Sequence, residues 1–407
     1  MTNEIKNMPE LRFSGFSEEW KKKKLEEIAY INDGTHMTPN YVQAGIPFFS
    51  VENVTRNDFV NSKFVTEEAY EKYKKRIDIE YNDILMTRIG SIGKVKLVNW
   101  IHSTTFYVSL ALLKIHEGFV PQYISYLLES FKVQKSIMSN SLVTAVPQKI
   151  NLIDLKKVDI VLTISINEQQ RIGDFFSKLD RQIELEEQKL EKLEEQKKGY
   201  MQKIFSQELR FKDGNGNNYS EWIKTNLKFL VSYKNGKGYE KEVVQNGKYN
   251  IINLNSISTK GMLKDSGKYT DFEDITLKKN DLIMILSDVA KGNLIGKTAI
   301  IDQDDKYLLN QRVASLRIKD ESTSNVLFIY YFINYFRQYF INMSTGMSQL
   351  NINKSTVEDF LIYLPYIEEQ DKIGNFFSNL DKSIIKQLDK IELLKERKKG
   401  FLQKMFV

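Results

Sequence analysis

The chain contains no cysteine, which excludes disulfides and thiolate metal sites and makes a reducing, cytoplasmic setting the expectation. Only three histidines occur, His36, His102 and His116, and their separations do not fit a zinc site. Six prolines in 407 residues fall well below the ordinary share, leaving room for long uninterrupted helices. No apolar run approaches the ~20 residues needed to cross a bilayer, and the opening segment lacks the apolar core of a secretory leader. Hydrophobic residues at 42% and charged residues at 28% are instead ordinary for folded domains, and the length suits two or three. A net charge of +6 permits a polyanionic partner without requiring one.

What the chain does have is a repeat. Residues 168–205 and 369–406 align without a gap at an offset of 201, with about 20 of 38 positions identical. Fainter echoes flank it. Glu10-Leu11-Arg12-Phe13 recurs as Glu208-Leu209-Arg210-Phe211, each followed by a tryptophan (Trp20, Trp222). Asn82-Asp83-Ile84-Leu85-Met86 resembles Asn280-Asp281-Leu282-Ile283-Met284, and Ile92-Gly93-Lys94 matches Ile295-Gly296-Lys297. The chain therefore reads as two tandem halves: a first block over 1–165, a central helix over 166–206, a second block over 207–366 and a C-terminal helix over 367–407. The fold class expected is α+β, with two strand-rich blocks joined by two long helices in an antiparallel coiled coil and a pseudo-two-fold internal repeat.

Each repeated segment carries a heptad-like seam. In the first copy it runs Leu179, Ile183, Glu186, Leu190, Leu193, Lys197, Tyr200 and Ile204; in the second, Leu380, Ile384, Gln387, Ile391, Leu394, Lys398, Phe401 and Met405. At 1.5 Å per residue each helix would span ~57 Å. Antiparallel pairing would set Leu190 against Leu394, Ile183 against Phe401, Tyr200 against Ile384, Glu186 against Lys398 and Lys197 against Gln387. The alternative is that each helix packs only on its own block. Ser165-Ile166-Asn167-Glu168 has the form of a capping box opening the first copy. Within the blocks, 46–51 and 249–254 suit buried strands, and 83–88 with 94–98 suggests a strand pair. The apolar, aromatic segments 119–131 and 326–340 suit core helices better than base-stacking platforms.

No catalytic signature is visible. The G-x-S-x-G nucleophile elbow is absent, and 214–219 lacks the third glycine of a dinucleotide fingerprint. The Asp/Asn-Pro-Pro-aromatic motif of adenine methyltransferases is missing, since the chain has no Pro-Pro. Gly292-Asn293-Leu294-Ile295-Gly296-Lys297-Thr298 imitates a phosphate loop, but three residues separate its glycines where four are required. It also leads into Ala299-Ile300-Ile301, a strand, whereas a phosphate loop opens a helix. A hairpin turn fits better.

Two unlike blocks on repeated helices suit a device that grips duplex DNA at two short base clusters, with lysine and arginine on phosphates and polar loop residues on bases. Basic runs stand at 21–24, 72–76 and 156–157. The candidate base readers in the first block are Thr35, His36, Tyr41, Ser50, Asn53, Arg88, Ser91, Lys94, Thr144 and Gln148. In the second they are Lys234, Lys237, Asn253, Asn255, Ser287, Lys291, Lys297, Gln311, Arg312, Thr345 and Gln349. Many such groups contact phosphate instead of base edges.

The order Glu10-Leu11-Arg12-Phe13, strand-rich block, Glu168-Gln169 with Ile172, then the heptad helix ending in 197–205, all given twice, resembles specificity subunits of type I restriction-modification systems. The resemblance spans nearly the whole chain, specific in the helices and loose in the blocks. It implies a non-catalytic chain reading an asymmetric bipartite DNA site through two target-recognition domains. It also implies assembly with two adenine methyltransferase subunits and with restriction/translocase subunits. S-adenosylmethionine, ATP and Mg²⁺ would then sit on those partners, with no cofactor or metal in this chain, no membrane contact, and the outer helix faces as docking surface. The first half has Thr163-Ile164 where the second has Leu364-Pro365. A two-domain coiled-coil scaffold that binds only proteins is the competing reading, and a self-sufficient enzyme a third. Because the second helix ends where the first runs on into Glu208-Leu209-Arg210-Phe211, Val407 is expected near Glu10, closing the repeat into a circle.

Overall fold

The computed structural model describes residues 7–289 and 294–407. Two compact units divide them, one from 1–188 with 388–407 and one from 189–387. Each is an α+β body, and the two share one plan.

In the first unit, a four-stranded antiparallel sheet has the order Ala29–Asp33, Leu110–Ile115, Ile84–Thr87, Val95–Leu97. A three-stranded sheet follows the order Lys63–Val65, Ile46–Phe49, Thr105–Phe106, its last pair parallel. A two-stranded ribbon joins Lys21–Lys24 to Asp159–Leu162. The central strands Ile84–Thr87 and Leu110–Ile115 are apolar because both their faces are covered. One face packs Ile84, Met86, Ala111 and Leu113 against the helix Pro121–Glu129, and the other buries Leu85, Leu110 and Leu112 with Phe49 and Phe106. Pro121 stands in the first turn of that helix, where its missing N–H costs nothing. As its composition suggested, the helix belongs to the core.

The second unit repeats this strand by strand. Its four-stranded sheet runs Val231–Asn235, Val313–Ile318, Leu282–Ile285, Thr298–Ile300, and its three-stranded sheet Tyr269–Thr270, Tyr249–Ile252, Tyr307–Leu309. Its ribbon pairs Ile223–Asn226 with Leu361–Leu364. The helix Val326–Tyr335 takes the place of Pro121–Glu129, with Phe328, Phe332 and Ile333 buried. Thr298–Ile300 is a strand, so the glycine–lysine segment before it leads into a sheet and not into a helix N-terminus.

The long helices are Ile166–Phe205 and Ile367–Lys404, 40 and 38 residues, and each passes through both units. Within each unit the two helix segments run antiparallel. In the first, Phe401 meets Phe175 edge-on at 5.0 Å, and Phe406 stacks on Phe176 at 5.7 Å. In the second, Tyr200 meets Phe376 at 5.1 Å, and Phe205 stacks on Phe377 at 5.8 Å. Of the seam residues, Leu179, Ile183, Ile204, Ile384, Gln387, Ile391, Leu394 and Met405 are buried. Leu190, Leu193, Lys197, Leu380, Lys398 and Phe401 are half-buried, and Tyr200 is exposed.

The polar layers differ from the heptad reading. Lys398 bonds Asp180 at 2.8 Å and Glu129 at 3.4 Å, while Glu186, its expected partner, pairs with Lys390. Lys197 goes to Asp381 at 2.5 Å. The cause lies in the globular blocks: the hydroxyl of Tyr126 donates to Asp180 at 2.8 Å, and that of Tyr331 to Asp381 at 2.7 Å. Lys398 and Lys197 lie over those same two rings, at 5.1 and 5.3 Å from the centroids. Each block helix thus fixes an aspartate that captures the lysine of the opposing helix. Tyr126–Asp180–Lys398 and Tyr331–Asp381–Lys197 are one three-residue lock built twice.

A second repeated lock sits at the helix starts. Glu168, fully buried, receives Arg12 through two hydrogen bonds of 2.6 and 2.9 Å, and Glu369 receives Arg210 at 3.2 and 2.6 Å. Glu168 thereby serves as the counter-ion of Arg12, while Ser165 accepts its backbone N–H at 3.4 Å. Gln169 and Gln370, also buried, each accept from one backbone N–H, of Val120 and Asn325. The expected closure is present in backbone terms. The N–H of Leu209 donates to the Lys203 carbonyl at 2.9 Å, and across the break in the chain the N–H of Leu11 donates to the Lys404 carbonyl at 2.9 Å.

Candidate nucleic-acid interface

In the first unit the candidate residues gather on loops at one end of the four-stranded sheet. Strand Ala29–Asp33 ends at the buried carboxylate of Asp33, which gathers two arginines and a histidine from three segments. Arg88 donates at 2.7 Å, Arg76 donates through a very short contact, and His36 lies at 3.0 Å. Burial would push the Asp33 carboxyl up, but the Arg76 hydrogen bond and the charges of Arg88, Arg76 and His36 outweigh it and hold it below the ordinary carboxylate range. Arg88 is itself buried, and its second donor goes to the Ile150 carbonyl at 3.3 Å. Beside this cluster the turn after Ile84–Thr87 meets the 141–149 loop through a hydrogen bond from the Gly90 N–H to the Gln148 carbonyl at 2.7 Å. Ser91, Lys94, Thr144 and Gln148 are exposed there, as are His36 and Tyr41 on the 35–42 loop. Lys63 sits 4.6 Å over the Tyr41 ring.

In the second unit the matching loops again come together. The Gln311 N–H donates to the Lys237 carbonyl at 2.7 Å, and the Gln311 side chain to Glu240 at 2.7 Å. Lys237 pairs with Asp274 at 2.8 Å, pulling the Asp274 carboxyl down to about 2. Arg312 occupies the left-handed backbone region at φ 70°, which turns its side chain outward. The 343–351 loop is closed by paired Thr345–Asn351 backbone hydrogen bonds of 3.0 and 2.9 Å and rests on Ser287 through Gln349. Lys234, Lys237, Asn255, Gln311, Arg312 and Thr345 are exposed. Lys291 lies outside the described residues, as do Gly292 and Asn293.

Several expected base readers are otherwise employed. Arg88 is an internal counter-ion, and burial lowers its basicity instead of offering it to solvent. Thr35 is buried and accepts the Met37 N–H at 3.1 Å. Ser50 and Asn53 cap the short helix Val51–Arg56, and Asn253 caps the turn Leu254–Ser256. Ser287 is buried beneath Gln349, and half-buried Lys297 is held by the Thr259 carbonyl. Sequence reasoning missed Asp33, whose partners lie 43 and 55 positions away, and it left Arg76 as one member of a basic run. It also passed over Val146 and Met347, fully exposed at the tips of the two closing loops. Their shared offset of 201 was available, but the residues are not identical.

No helix among the described residues is long and apolar enough to cross a membrane. The chain matches the model of the type I restriction modification DNA specificity domain twice, over residues 17–195 and 219–395. It is 25% identical to the type I restriction enzyme MjaVIII specificity subunit of Methanocaldococcus jannaschii, over 97% of this chain and 93% of that protein. A putative type I specificity subunit of Mycoplasma pneumoniae is 27% identical over 47% of each chain. Among solved structures, the S subunit of the type I restriction-modification system from M. genitalium superposes with a TM-score of 0.64 at 16% identity, covering 98% of this chain and 99% of that one. A chain from a structure of complex assembly in a type I restriction-modification system gives 0.58 at 13% identity, covering 94% and 96%. The fold is thus shared where the sequence has diverged, and the paired matches fall on the two halves that the internal repeat defines. The chain belongs to the type I restriction modification DNA specificity family and carries its domain twice.

Proposed function

We propose that this chain is the non-catalytic reader of an asymmetric, bipartite DNA site, each unit reading one half, and that it brings adenine methyltransferase and restriction subunits to that site. The observation that carries the reading is one sheet plan built twice with unlike side chains on equivalent loops. On the closing loops Ala145, Val146 and Pro147 in the first unit stand where Gly346, Met347 and Ser348 stand in the second. A shared frame with different loops suits two half-sites of different sequence. The loop segments 87–95, 141–150 and 343–351 contain no acidic residue, which favours approach to phosphate. Two methyltransferase subunits would dock on the long helices, where Leu185, Leu393 and Ile385 are exposed. S-adenosylmethionine, ATP and Mg²⁺ belong to those partners in this reading. Mapping methylated adenines in cells with and without the chain tests it. The expected result is loss of methylation at one bipartite motif, and an unchanged methylome overturns the proposal.

A further inference from the structure

Val146 and Met347 stand at the same offset of 201 as Thr144/Thr345 and Gln148/Gln349, so each unit ends one loop in the pattern Thr-x-apolar-x-Gln. Both apolar side chains are fully exposed. An isolated exposed apolar residue needs no explanation. The same position exposed in both units, within blocks whose loops otherwise differ, calls for one.

Neither tip is a loose end. In the first unit the loop is closed by the Leu142 N–H on the Lys149 carbonyl at 2.7 Å and tied to the neighbouring hairpin through Gly90. In the second, Gly346 has φ 118°, and a Cβ there would lie 2.0 Å from the Gln349 carbonyl, so only glycine permits the tight turn that presents Met347. The loops hold an apolar group outward between a hydroxyl and an amide.

Building on the DNA-reading proposal, we infer that Val146 and Met347 each contact the C5-methyl group of a thymine in the major groove, with exposed Thr144, Gln148 and Thr345 beside them on polar base edges. Apolar side chains gain nothing from phosphates, and the thymine methyl is the apolar feature that base pairs display in that groove. At the Val146 tip the side chain extends only to its γ carbons, too short to prise a base step apart as longer residues, methionine among them, do. In the first unit exposed Gln148, two residues along, supplies the side chain that pairs with adenine N6 and N7, whereas Gln349 holds the second loop onto Ser287.

The test uses the chain assembled with its methyltransferase subunits and duplexes carrying the motif found by methylome mapping. Each thymine is replaced singly by deoxyuridine, which removes only the methyl group. The wild-type complex is expected to lose about 3- to 10-fold in affinity at one thymine in each half-site. Val146→Ala should abolish that sensitivity in one half and Met347→Ala in the other, with full-length soluble protein in each case because both side chains are exposed. Indifference of the wild type to every substitution overturns the inference. So does undiminished sensitivity in the variants, or a Val146→Ala defect confined to methyltransferase association, which would assign the tip to a protein partner. Absence of specific binding by the wild-type complex would instead defeat the DNA-reading proposal itself.

Discussion

Replacing Arg12 by methionine keeps the length of the side chain while leaving the carboxylate of Glu168, fully buried, without its counter-ion. Breaking a buried ion pair from one side costs about 3–5 kcal/mol. Arg210→Met does the same to Glu369, but with a difference that the structure makes measurable. Glu369 also accepts the indole N–H of Trp222 at 3.2 Å, whereas the corresponding indole N–H of Trp20 has no partner. The second carboxylate therefore keeps one donor, and its loss should be smaller by up to about 1 kcal/mol, the net worth of one such hydrogen bond, less what Arg210 gives up at the exposed Ser220 carbonyl. Hydrogen exchange read by mass spectrometry separates the effects, since each variant acts on the amides of its own unit. At about 1.4 kcal/mol per tenfold, Arg12→Met should raise globally limited exchange in the first unit by about two to three and a half orders of magnitude. Exchange unchanged in Arg12→Met, or a larger effect from Arg210→Met, would refute the argument.

Arg88→Leu should destabilise the first unit without altering base preference, and the double variant Asp33→Asn/Arg88→Leu, which installs the residues of the second unit, should recover most of the loss; denaturation and binding selections on the same proteins check both arms. Because the folded Asp33 carboxyl is held below its ordinary range, the stability it contributes is present above the unfolded value and lost as pH falls through the folded one, so Asp33→Asn should flatten the acid limb of a stability–pH profile. Lys398 shows the opposite sign. Burial lowers its basicity, but Glu129 and Asp180 raise it above the ordinary lysine range, so its contribution fades only as pH rises through that higher value. Tyr126→Phe and Tyr331→Phe remove hydroxyls whose ionisation is suppressed by burial and then by the facing aspartate, and each should cost about 1–3 kcal/mol in denaturation.

The repeat and the helices were legible because identity at a fixed offset survives any doubt about local propensity. The strands at Ile46–Phe49, Ile84–Thr87, Val95–Leu97 and Tyr249–Ile252 could be read from their apolar patterning. Helix pairing was legible in direction but not in its polar contacts. The pattern at Glu186, Lys197, Gln387 and Lys398 describes two helices, and the structure adds a third element at each contact, the helix bearing Tyr126 or Tyr331. A seam calculation that omits the third partner assigns the lysines to the wrong acceptors. The candidate site was legible by segment, since loops 35–42, 88–94, 141–149, 236–240 and 343–349 do present polar side chains. It was not legible by residue. Nothing local to Arg88 announces that an aspartate 55 positions earlier will bury it.

That burial explains how one frame can carry two different sheet ends. At the end of the sheet, the backbone of Arg88 donates to Ser109 and accepts from Ile150, and the backbone of Leu286 donates to Arg312 and accepts from Ile352, so the two positions are the same place in the plan. Opposite them, Asp33 pairs with Ala111 and Asn235 with Ala314 in matching register. A lone arginine there would leave a buried charge without its counter-ion, a penalty larger than most single contacts can offset, whereas a lone aspartate would keep Arg76. The charged pair and the neutral pair are both acceptable, and of the mixed states the buried Arg88 facing a neutral residue is the costly one. An exchange at this edge therefore keeps the frame best when both residues change together, whereas exposed positions such as Lys94, Gln148 and Arg312 carry no buried charge and tolerate single changes. The side chains that can vary one at a time are the ones a DNA-reading surface needs, and the sheet end beneath them changes only in steps that keep the frame folded.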